Sequence, residues 1–243
     1  MSNATSGRVV VITGGTRGVG AATVEQFLAA GDKVVSISKN AADPSKQKSG
    51  CTYLQADVSS PEQLHGAAAQ VLAKFGRIDV WINNAGYGKL IPFADGDETA
   101  WADIFNVNFW GVVHGCRAAL RAMKDSGGCI INVGSLAGLM APRNHSAYAV
   151  SKASVMALTR SLAVEYGKQN VRVNAVVPGP IQTEGFIAAG GDPVKRAQTI
   201  PTGKMIQPEE IARVCAFLAE PMTSLTGQVI VVDGGSQAAG CYV

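Results

Sequence analysis

A tyrosine and a lysine stand four residues apart in the segment Tyr148-Ala-Val-Ser-Lys152, thirteen residues after Ser135. On a helix this spacing puts both side chains on one face, so the ammonium can approach the phenol and lower its pKa. Unit charges about 4 Å apart interact by roughly 4 kcal/mol near a protein surface, which is about three pKa units. The pair could therefore donate and accept a proton near neutral pH. The same spacing also fits a surface tyrosine stacked on a lysine stem.

A glycine-rich turn, Thr13-Gly-Gly-Thr-Arg-Gly-Val-Gly20, lies between the first predicted strand and the first predicted helix. Gly14, Gly18 and Gly20 permit a tight turn, a close approach of the backbone to a pyrophosphate, and close packing of the helix. The helix N-terminus favours the phosphate charge. The turn predicts a dinucleotide site, and an ordinary glycine-rich turn is the alternative.

Short apolar, mostly β-branched runs alternate with helical patterns along the chain. The predicted strands are Val9-Ile12, Lys33-Ser38, Thr52-Gln55, Val80-Ile82, Cys129-Val133, Val171-Val176 and Gln228-Val232. The predicted helices are Gly18-Ala30, Pro61-Phe75, Glu98-Lys124, Ala147-Tyr166 and Pro208-Ala219. This alternation predicts an α/β fold: a doubly wound Rossmann-type parallel sheet of about seven strands flanked by helices, with ligands at the carboxyl ends of the strands.

Length and composition indicate one globular domain over residues 1–243, because 47% of the residues are apolar and only 16% are charged. The net charge of +3 is small and its cations are scattered, so no nucleic-acid partner is expected. No apolar run is long enough to span a membrane, and the polar first seven residues do not resemble a signal peptide. The expected compartment is the cytoplasm, without a membrane partner.

Five cysteines are spread along the chain without a CxxC motif or a Cys/His cluster. This pattern predicts neither a disulfide framework nor a metal site. We expect Cys129 and Cys215 to lie in the core as reduced thiols.

Further motifs accompany the tyrosine, the lysine and the glycine turn: Asn83-Asn84-Ala85-Gly86, Asn108 and Pro178-Gly179. Together they resemble the short-chain dehydrogenase/reductase family, in its single-domain branch, and the glycine turn has the spacing TGxxxGxG. The resemblance runs from about Arg8 to Asp233. The 3-oxoacyl-carrier-protein reductase type is the nearest general likeness, although length and motifs alone do not select it.

The resemblance implies an oxidoreductase that moves a hydride between a nicotinamide and a small-molecule carbonyl or secondary alcohol. Tyr148 would be the general acid and base, and Ser135 would hydrogen-bond the substrate oxygen. Lys152 would lower the pKa of Tyr148 and bind the nicotinamide ribose, while Asn108 would hold a water that connects Lys152 to solvent.

Two other functions are compatible with the fold. A non-catalytic sensor or scaffold that binds NADP(H) is one, because fold alone does not establish activity. The presence of all four residues of the family's catalytic tetrad, Asn108, Ser135, Tyr148 and Lys152, argues against it. An enzyme that epimerises or dehydrates nucleotide sugars is the other. Enzymes of that kind have longer chains, whereas only 65 residues follow Pro178 here.

The resemblance also implies a set of cofactor contacts at the strand ends. Asp57 and Val58 match an adenine-side pair, and Ile181 and Thr183 match positions that hold the nicotinamide carboxamide. The predicted cofactor residues are Gly14, Gly15, Thr16, Arg17, Gly18, Val19, Gly20, Ser38, Lys39, Asp57, Val58, Asn84, Ala85, Gly86, Tyr148, Lys152, Pro178, Gly179, Ile181 and Thr183.

The end of the second predicted strand bears on the choice of nicotinamide cofactor. An Asp or Glu there would bind free ribose hydroxyls and repel a 2′-phosphate, but this chain has Ser38-Lys39-Asn40. Arg17 in the glycine turn supplies a second cation, which resembles the family's NADP-preferring members, so Arg17 and Lys39 are predicted to flank the phosphate. NADP(H) is therefore predicted over NAD(H). The alternative is that both cations are merely solvated surface charges.

Substrate identity is expected to lie in the segments least fixed by the motifs: Tyr87-Gly88, Leu136-Ala141, Arg143-His145 and a substrate loop over about residues 182–204. The expected lining is apolar and suits a modest ketone or acyl group: Leu139, Met140, Phe186 and Ile187. His145 and Arg143 are near enough in sequence to contact substrate, although loop residues of these types are more often solvated.

The predicted helices Glu98-Lys124 and Ala147-Tyr166 carry apolar residues on more than one face. One apolar stripe would cover the sheet, so the additional faces suggest a second partner. In the family this helix pair commonly forms a dimer interface, and the dimers pair again. The resemblance therefore implies a homotetramer, with a monomer as the alternative.

Overall fold

A seven-stranded parallel sheet with strand order β3-β2-β1-β4-β5-β6-β7 forms the centre of the molecule. The structure is a computed structural model that describes residues 7–140, 142–188, 190–222 and 224–240. The strands are β1 (Val9–Thr13), β2 (Lys33–Ser38), β3 (Cys51–Gln55), β4 (Val80–Asn83), β5 (Gly128–Val133), β6 (Val171–Pro178) and β7 (Val229–Val232). The order reverses between β1 and β4, and the predicted Rossmann-type fold is confirmed.

Helices cover both faces of this sheet. They are α1 (Gly18–Ala29), α2 (Pro61–Phe75), α3 (Glu98–Phe105), α4 (Gly111–Ala122), α5 (Ser146–Tyr166), α6 (Glu184–Ala188), α7 (Pro193–Ala197) and α8 (Pro208–Ala219). The core beneath α1 and α8 contains Val10 and Ile12, whereas the core beneath α2, α4 and α5 contains Val9 and Val11. Successive β1 residues thus enter opposite cores, as the two-residue period of a strand requires.

Capping residues and prolines mark the ends of helices α2 and α8. The side chain of Ser60 caps α2, Pro61 occupies its first turn, and Gly76 ends it with φ of 77°. Helix α8 begins with Pro208 after a capping box formed by Gln207 and Glu210. These signals explain why α2 and α8 have the bounds that the sequence predicted.

The predicted helix Glu98-Lys124 differs from the observed structure. A π-helical segment over Asn106–Trp110 separates α3 from α4, and α4 ends at Ala122. The wider π turn brings the Asn108 side chain to the backbone of Tyr87. This contact is non-local, so apolar periodicity could not reveal the break.

Three cysteines lie in the core, which confirms the expectation for Cys129 and Cys215 and adds Cys116. Burial raises the pKa of Cys116 and Cys215 to about 12 and that of Cys129 to about 11. These thiols are therefore protonated at neutral pH. Cys241 is outside the described residues.

Within the described ranges, no helix is both long and apolar enough to cross a membrane. The same ranges contain no group of three or more His, Cys, Asp or Glu residues that could hold a metal ion.

Candidate active site

The glycine turn is fastened to the end of β4. Thr13 Oγ1 accepts hydrogen bonds of 3.0 Å from the backbone N–H groups of Asn84 and Ala85. The Asn84 side-chain amide donates to the backbone oxygens of Thr13 and Gly14, at 2.9 and 3.2 Å. The glycine turn and the predicted cofactor residues that follow β4 are therefore joined by hydrogen bonds at the switch point of the sheet.

The turn residues fit a dinucleotide. Gly14 and Gly18 have φ of +69° and +52°, which favours glycine, and a Cβ on Gly20 would lie 2.0 Å from the Gly14 carbonyl oxygen. Helix α1 thus begins directly against the turn. Its N-cap, Arg17, makes no side-chain cap hydrogen bond. The first-turn N–H groups of α1 consequently have no side-chain cap and suit a phosphate.

The predicted adenine end lies at β2 and β3. Lys39 Nζ is 2.8 Å from Asp57 Oδ2, and Arg17 is exposed on the turn. Burial opposes ionisation of Asp57, but hydrogen bonds from Lys39 and Ser59 outweigh burial and lower the pKa of this carboxyl. The hydrogen bond to Asp57 and its charge raise the pKa of Lys39. Val58 is buried.

Two buried hydroxyls in β2 have no hydrogen-bond partner among the described residues: Ser36 Oγ and Ser38 Oγ. A Cβ on Gly15 would lie only 2.5 Å from Ser36 Oγ. Glycine at position 15 therefore lets the turn lie directly on β2, beside the predicted cofactor residue Ser38.

Helix α5 carries the tyrosine and the lysine. Lys152 Nζ lies 5.9 Å from the centroid of the Tyr148 ring and donates a 2.9 Å hydrogen bond to the Val133 carbonyl oxygen. Lys152 is 3% exposed, and burial lowers its pKa to about 8. The lysine is thus still mostly an ammonium at pH 7.

Ser135 follows β5 and caps a short helical turn by accepting a 3.2 Å hydrogen bond from the Ala137 N–H. A Cβ on Gly138 would lie 2.7 Å from the Ala153 backbone nitrogen, so glycine lets this segment pack against α5. A cavity of about 130 Å³ results, lined by Asn84, Gly86, Val133, Gly134, Ser135, Tyr148, Lys152, Pro178, Gly179 and Ile181. The structure thus brings Ser135, Tyr148 and Lys152 to one cavity.

Asn108 lies behind this cavity and has no exposed surface. Its side-chain oxygen accepts from the Tyr87 N–H at 3.0 Å, and its side-chain nitrogen donates to the Tyr87 carbonyl oxygen at 2.8 Å. A Cβ on Gly86 would lie 2.8 Å from Asn108 Oδ1 and 3.2 Å from Lys152 Nζ. Gly86 therefore packs against both Asn108 and Lys152, with no room for a side chain. The predicted role of Asn108 as a water ligand stays a prediction.

The predicted nicotinamide side follows β6. Ile181 pairs with Ile206 in an isolated β-bridge, and a Cβ on Gly179 would lie 2.8 Å from the Asp233 Cα. The Thr183 hydroxyl accepts a 3.1 Å hydrogen bond from Phe186 N, and its methyl is 3.5 Å from a Cβ placed on Gly18. The beginning of the predicted substrate loop thus lies against the glycine turn.

The predicted substrate loop, about residues 182–204, contains the short helices α6 and α7. The backbone N–H of Gln182 donates to the Ile206 carbonyl oxygen at 2.9 Å, and the Gln207 side chain donates to that of Gln182 at 3.2 Å. The two ends of the loop are therefore tied together. A larger cavity of about 680 Å³ lies between α7 and the segment 202–207.

The loops that follow β4, β5 and β6 expose large apolar side chains. A Cβ on Gly88 would lie 3.7 Å from the Tyr148 ring, so the loop after β4 borders that ring. Large apolar side chains in this loop and in the two neighbouring loops are exposed: Tyr87, Leu90, Phe93, Leu139 and Ile187. The His145 ring lies 6.0 Å from that of Tyr148, and Arg143 is exposed.

Three contacts in this site were not predicted from the sequence. They are the hydrogen bond from Lys152 to the Val133 carbonyl, the hydrogen bond from the Asn108 side chain to the Tyr87 carbonyl, and the Lys39–Asp57 ion pair. Every residue has a backbone carbonyl, so the type of residue does not indicate which carbonyl binds Lys152. The charges of Lys39 and Asp57 were visible, but their contact depends on how β2 and β3 pair.

Most of this chain is similar in sequence to known proteins. A family model described as "Enoyl-(Acyl carrier protein) reductase" matches residues 14–237. L-fucose dehydrogenase of Mus musculus is 35% identical over 96% of this chain and 89% of its own length. 3beta-hydroxysteroid dehydrogenase 1 of Eggerthella lenta is 35% identical over 94% and 93%, and a 3-oxoacyl-[acyl-carrier-protein] reductase of Chlamydia muridarum is 32% identical over 94% and 96%.

Among solved structures, that of gox2181 superposes with a TM-score of 0.91 and 29% identity over 96% of each chain. The fold and these matches define an oxidoreductase that acts on alcohol or carbonyl groups with a nicotinamide cofactor. The chain belongs to the short-chain dehydrogenase/reductase family, in its single-domain branch.

Proposed function

We propose that this protein is an NADP(H)-dependent oxidoreductase that interconverts an apolar ketone or acyl carbonyl and its secondary alcohol, with Tyr148 as the general acid and base. The observation that carries this proposal is the convergence of Ser135, Tyr148 and Lys152 on one cavity at the carboxyl ends of β5 and β6. Ligands of doubly wound sheets bind at this edge.

The catalytic residues would handle the proton and the charge on oxygen. In the reducing direction Tyr148 protonates the oxygen of the former carbonyl, and in the oxidising direction it removes the alcohol proton. Ser135 donates a hydrogen bond to the same oxygen as negative charge develops. The Lys152 ammonium favours the phenolate form of Tyr148. The nicotinamide, when bound, supplies or accepts the hydride.

The preference for NADP(H) rests on charge at the predicted adenine end. Strand β2 ends at Ser38 rather than at an acidic residue, and Lys39 and Arg17 stand on the two segments that border this end. Cations at these positions favour a 2′-phosphate. The glycine turn and its uncapped helix would hold the pyrophosphate, and Ile181 and Thr183 the carboxamide.

The apolar substrate class rests on the exposed side chains of the surrounding loops, among them Tyr87, Leu139 and Ile187. An exposed apolar surface beside a cavity is typical of a ligand groove. The relatives are named for a sugar, a steroid and an acyl carrier protein. The apolar surroundings favour a steroid-like or acyl-like carbonyl over a sugar.

Assembly is proposed as a homotetramer in the cytoplasm. Val150 and Val164 on α5 and Trp110 beside α4 are exposed apolar side chains, with Val164 84% exposed. Burial of these faces against other copies would remove apolar surface from water. Light scattering during size-exclusion chromatography tests this proposal: a mass near 25 kDa, that of one chain, at all micromolar concentrations would refute it.

A screen of ketones and secondary alcohols with NADP(H) and NAD(H), followed by nicotinamide absorbance, tests the activity. We expect turnover of apolar carbonyls with NADPH. Tight NADPH binding without turnover of any compound would instead favour a sensor or scaffold.

A further inference from the structure

Lys39 is already paired with a carboxylate. Its ammonium lies 2.8 Å from Asp57 Oδ2, with 74% of the Lys39 side chain and 19% of the Asp57 side chain exposed. The other Asp57 oxygen accepts hydrogen bonds from the Ser59 backbone N–H at 3.0 Å and from the Ser59 hydroxyl at 2.7 Å. Asp57 is therefore fixed to its turn, whereas the long, exposed lysine can change partners.

This pairing matters for a ligand that carries a phosphate near Lys39. An exposed Lys–carboxylate pair is weak, so a phosphate can attract the lysine away from Asp57. Asp57 then remains as a like charge close to the phosphate, and like charges at short range oppose binding. A ligand with free ribose hydroxyls needs no such exchange and can leave the ion pair intact.

We propose that Asp57 is a specificity-determining residue: it competes with the 2′-phosphate for Lys39 and limits the preference for NADPH over NADH. This inference rests on the proposed function, in which Lys39 binds the phosphate. The carboxylate acts as a repulsive element that lowers the affinity for NADPH relative to that for NADH.

Asp57→Asn tests the competition. Asparagine keeps a side-chain oxygen for the two Ser59 hydrogen bonds and removes the charge that faces Lys39. Dissociation constants for NADPH and NADH are measured by fluorescence titration in the absence of substrate. We expect the preference for NADPH, expressed as the ratio of the NADH and NADPH dissociation constants, to rise about 3- to 10-fold. Any adenine contact that Asp57 makes is common to the two cofactors and cancels in this ratio.

A double-mutant cycle with Lys39→Met separates competition from simple repulsion. Competition requires the lysine, so the improvement from Asp57→Asn should be at least about threefold smaller in the Lys39→Met background. Glu25→Gln is the control, because Glu25 of α1 also forms an ion pair with a lysine, Lys48, at 2.6 Å. It should leave the ratio of the two dissociation constants unchanged.

The proposal is overturned if Asp57→Asn leaves the ratio of the NADPH and NADH dissociation constants unchanged. It is also overturned if Asp57→Asn changes this ratio equally with and without Lys39. The cofactor choice is judged separately. A wild-type protein that binds NADH more tightly, yet still responds to Asp57→Asn through Lys39, would refute NADP(H) preference alone. A wild-type protein that prefers NADPH without this response would refute the role of Asp57 alone.

Discussion

Lys152 and Lys39 place the same ammonium group in opposite environments on the two halves of the sheet. Lys152 is buried beside β5, and burial lowers its pKa to about 8. Lys39 is exposed after β2, and Asp57 raises its pKa. Desolvation dominates one site and a partner charge dominates the other. The buried lysine is held in place by packing, whereas the exposed one can exchange partners. Substitutions around Lys152, here called the buried end, should therefore have larger effects than substitutions around Lys39, the exposed end.

The strongest test of the buried end is Tyr148→Phe. We expect turnover to fall by about 10²- to 10⁴-fold, because the substitution removes the transferable proton and keeps the ring. The dissociation constant for NADPH should stay within a few fold. Steady-state kinetics and direct titration measure the two quantities. Retention of most turnover would overturn the catalytic assignment.

The pH dependence of Lys152 gives the second test. Its ammonium predominates below pH about 8, and the charged fraction falls about tenfold per unit above that value. Turnover should therefore decline above pH about 8. A profile that is flat from pH 7 to 10 would contradict this role of the ammonium.

The lowered pKa of Lys152 also affects folding. Between pH about 8 and 10.5 the unfolded state keeps the lysine proton that the folded state has lost. The free energy of unfolding should thus rise with pH in this range, by roughly 3 kcal/mol in total relative to Lys152→Met. Urea unfolding of both proteins at several pH values measures this difference.

Gly86→Ala tests how closely the buried groups are packed. The new methyl would lie 2.8 Å from Asn108 Oδ1 and 3.2 Å from Lys152 Nζ. We expect about tenfold lower turnover and a loss of about 1–3 kcal/mol in the free energy of unfolding. Gly66→Ala is the control, since no heavy atom lies within 4 Å of its Cβ in α2. It should add about 0.5–1 kcal/mol and leave turnover unchanged. Equal behaviour of the two variants would argue against close packing at Gly86.

The smallest effect is expected at the exposed end. Lys39→Asp, alone or with Arg17→Ser, should weaken NADPH binding several fold and NADH binding less, because the new carboxylate repels a phosphate yet can accept from a ribose hydroxyl. Titration with both cofactors measures the ratio. Equal losses would show that these residues support the loop rather than bind the phosphate.

The order of elements was predictable because each depends on a local pattern. Buried parallel strands appear as short β-branched runs, and Pro61 and Pro208 mark helix starts. Predicted strand ends agree with the structure to within two residues. The π-helical segment and the short helices α6 and α7 were not predicted, because one turn leaves little periodicity in a sequence and the π turn serves a distant contact.

The sequence by itself determined which groups are available and which of them share an element: Tyr148 and Lys152 lie on one helix face, and glycines stand where the turn needs them. The tertiary structure decided what surrounds those groups. Ser135 lines the same cavity as Tyr148 because β5 and α5 pack together, and Lys152 has a lowered pKa because strands and loops exclude water from it. Lys39 meets Asp57 because β2 pairs with β3. Desolvation and charge pairing depend on segments far apart in the chain, and no local pattern encodes them.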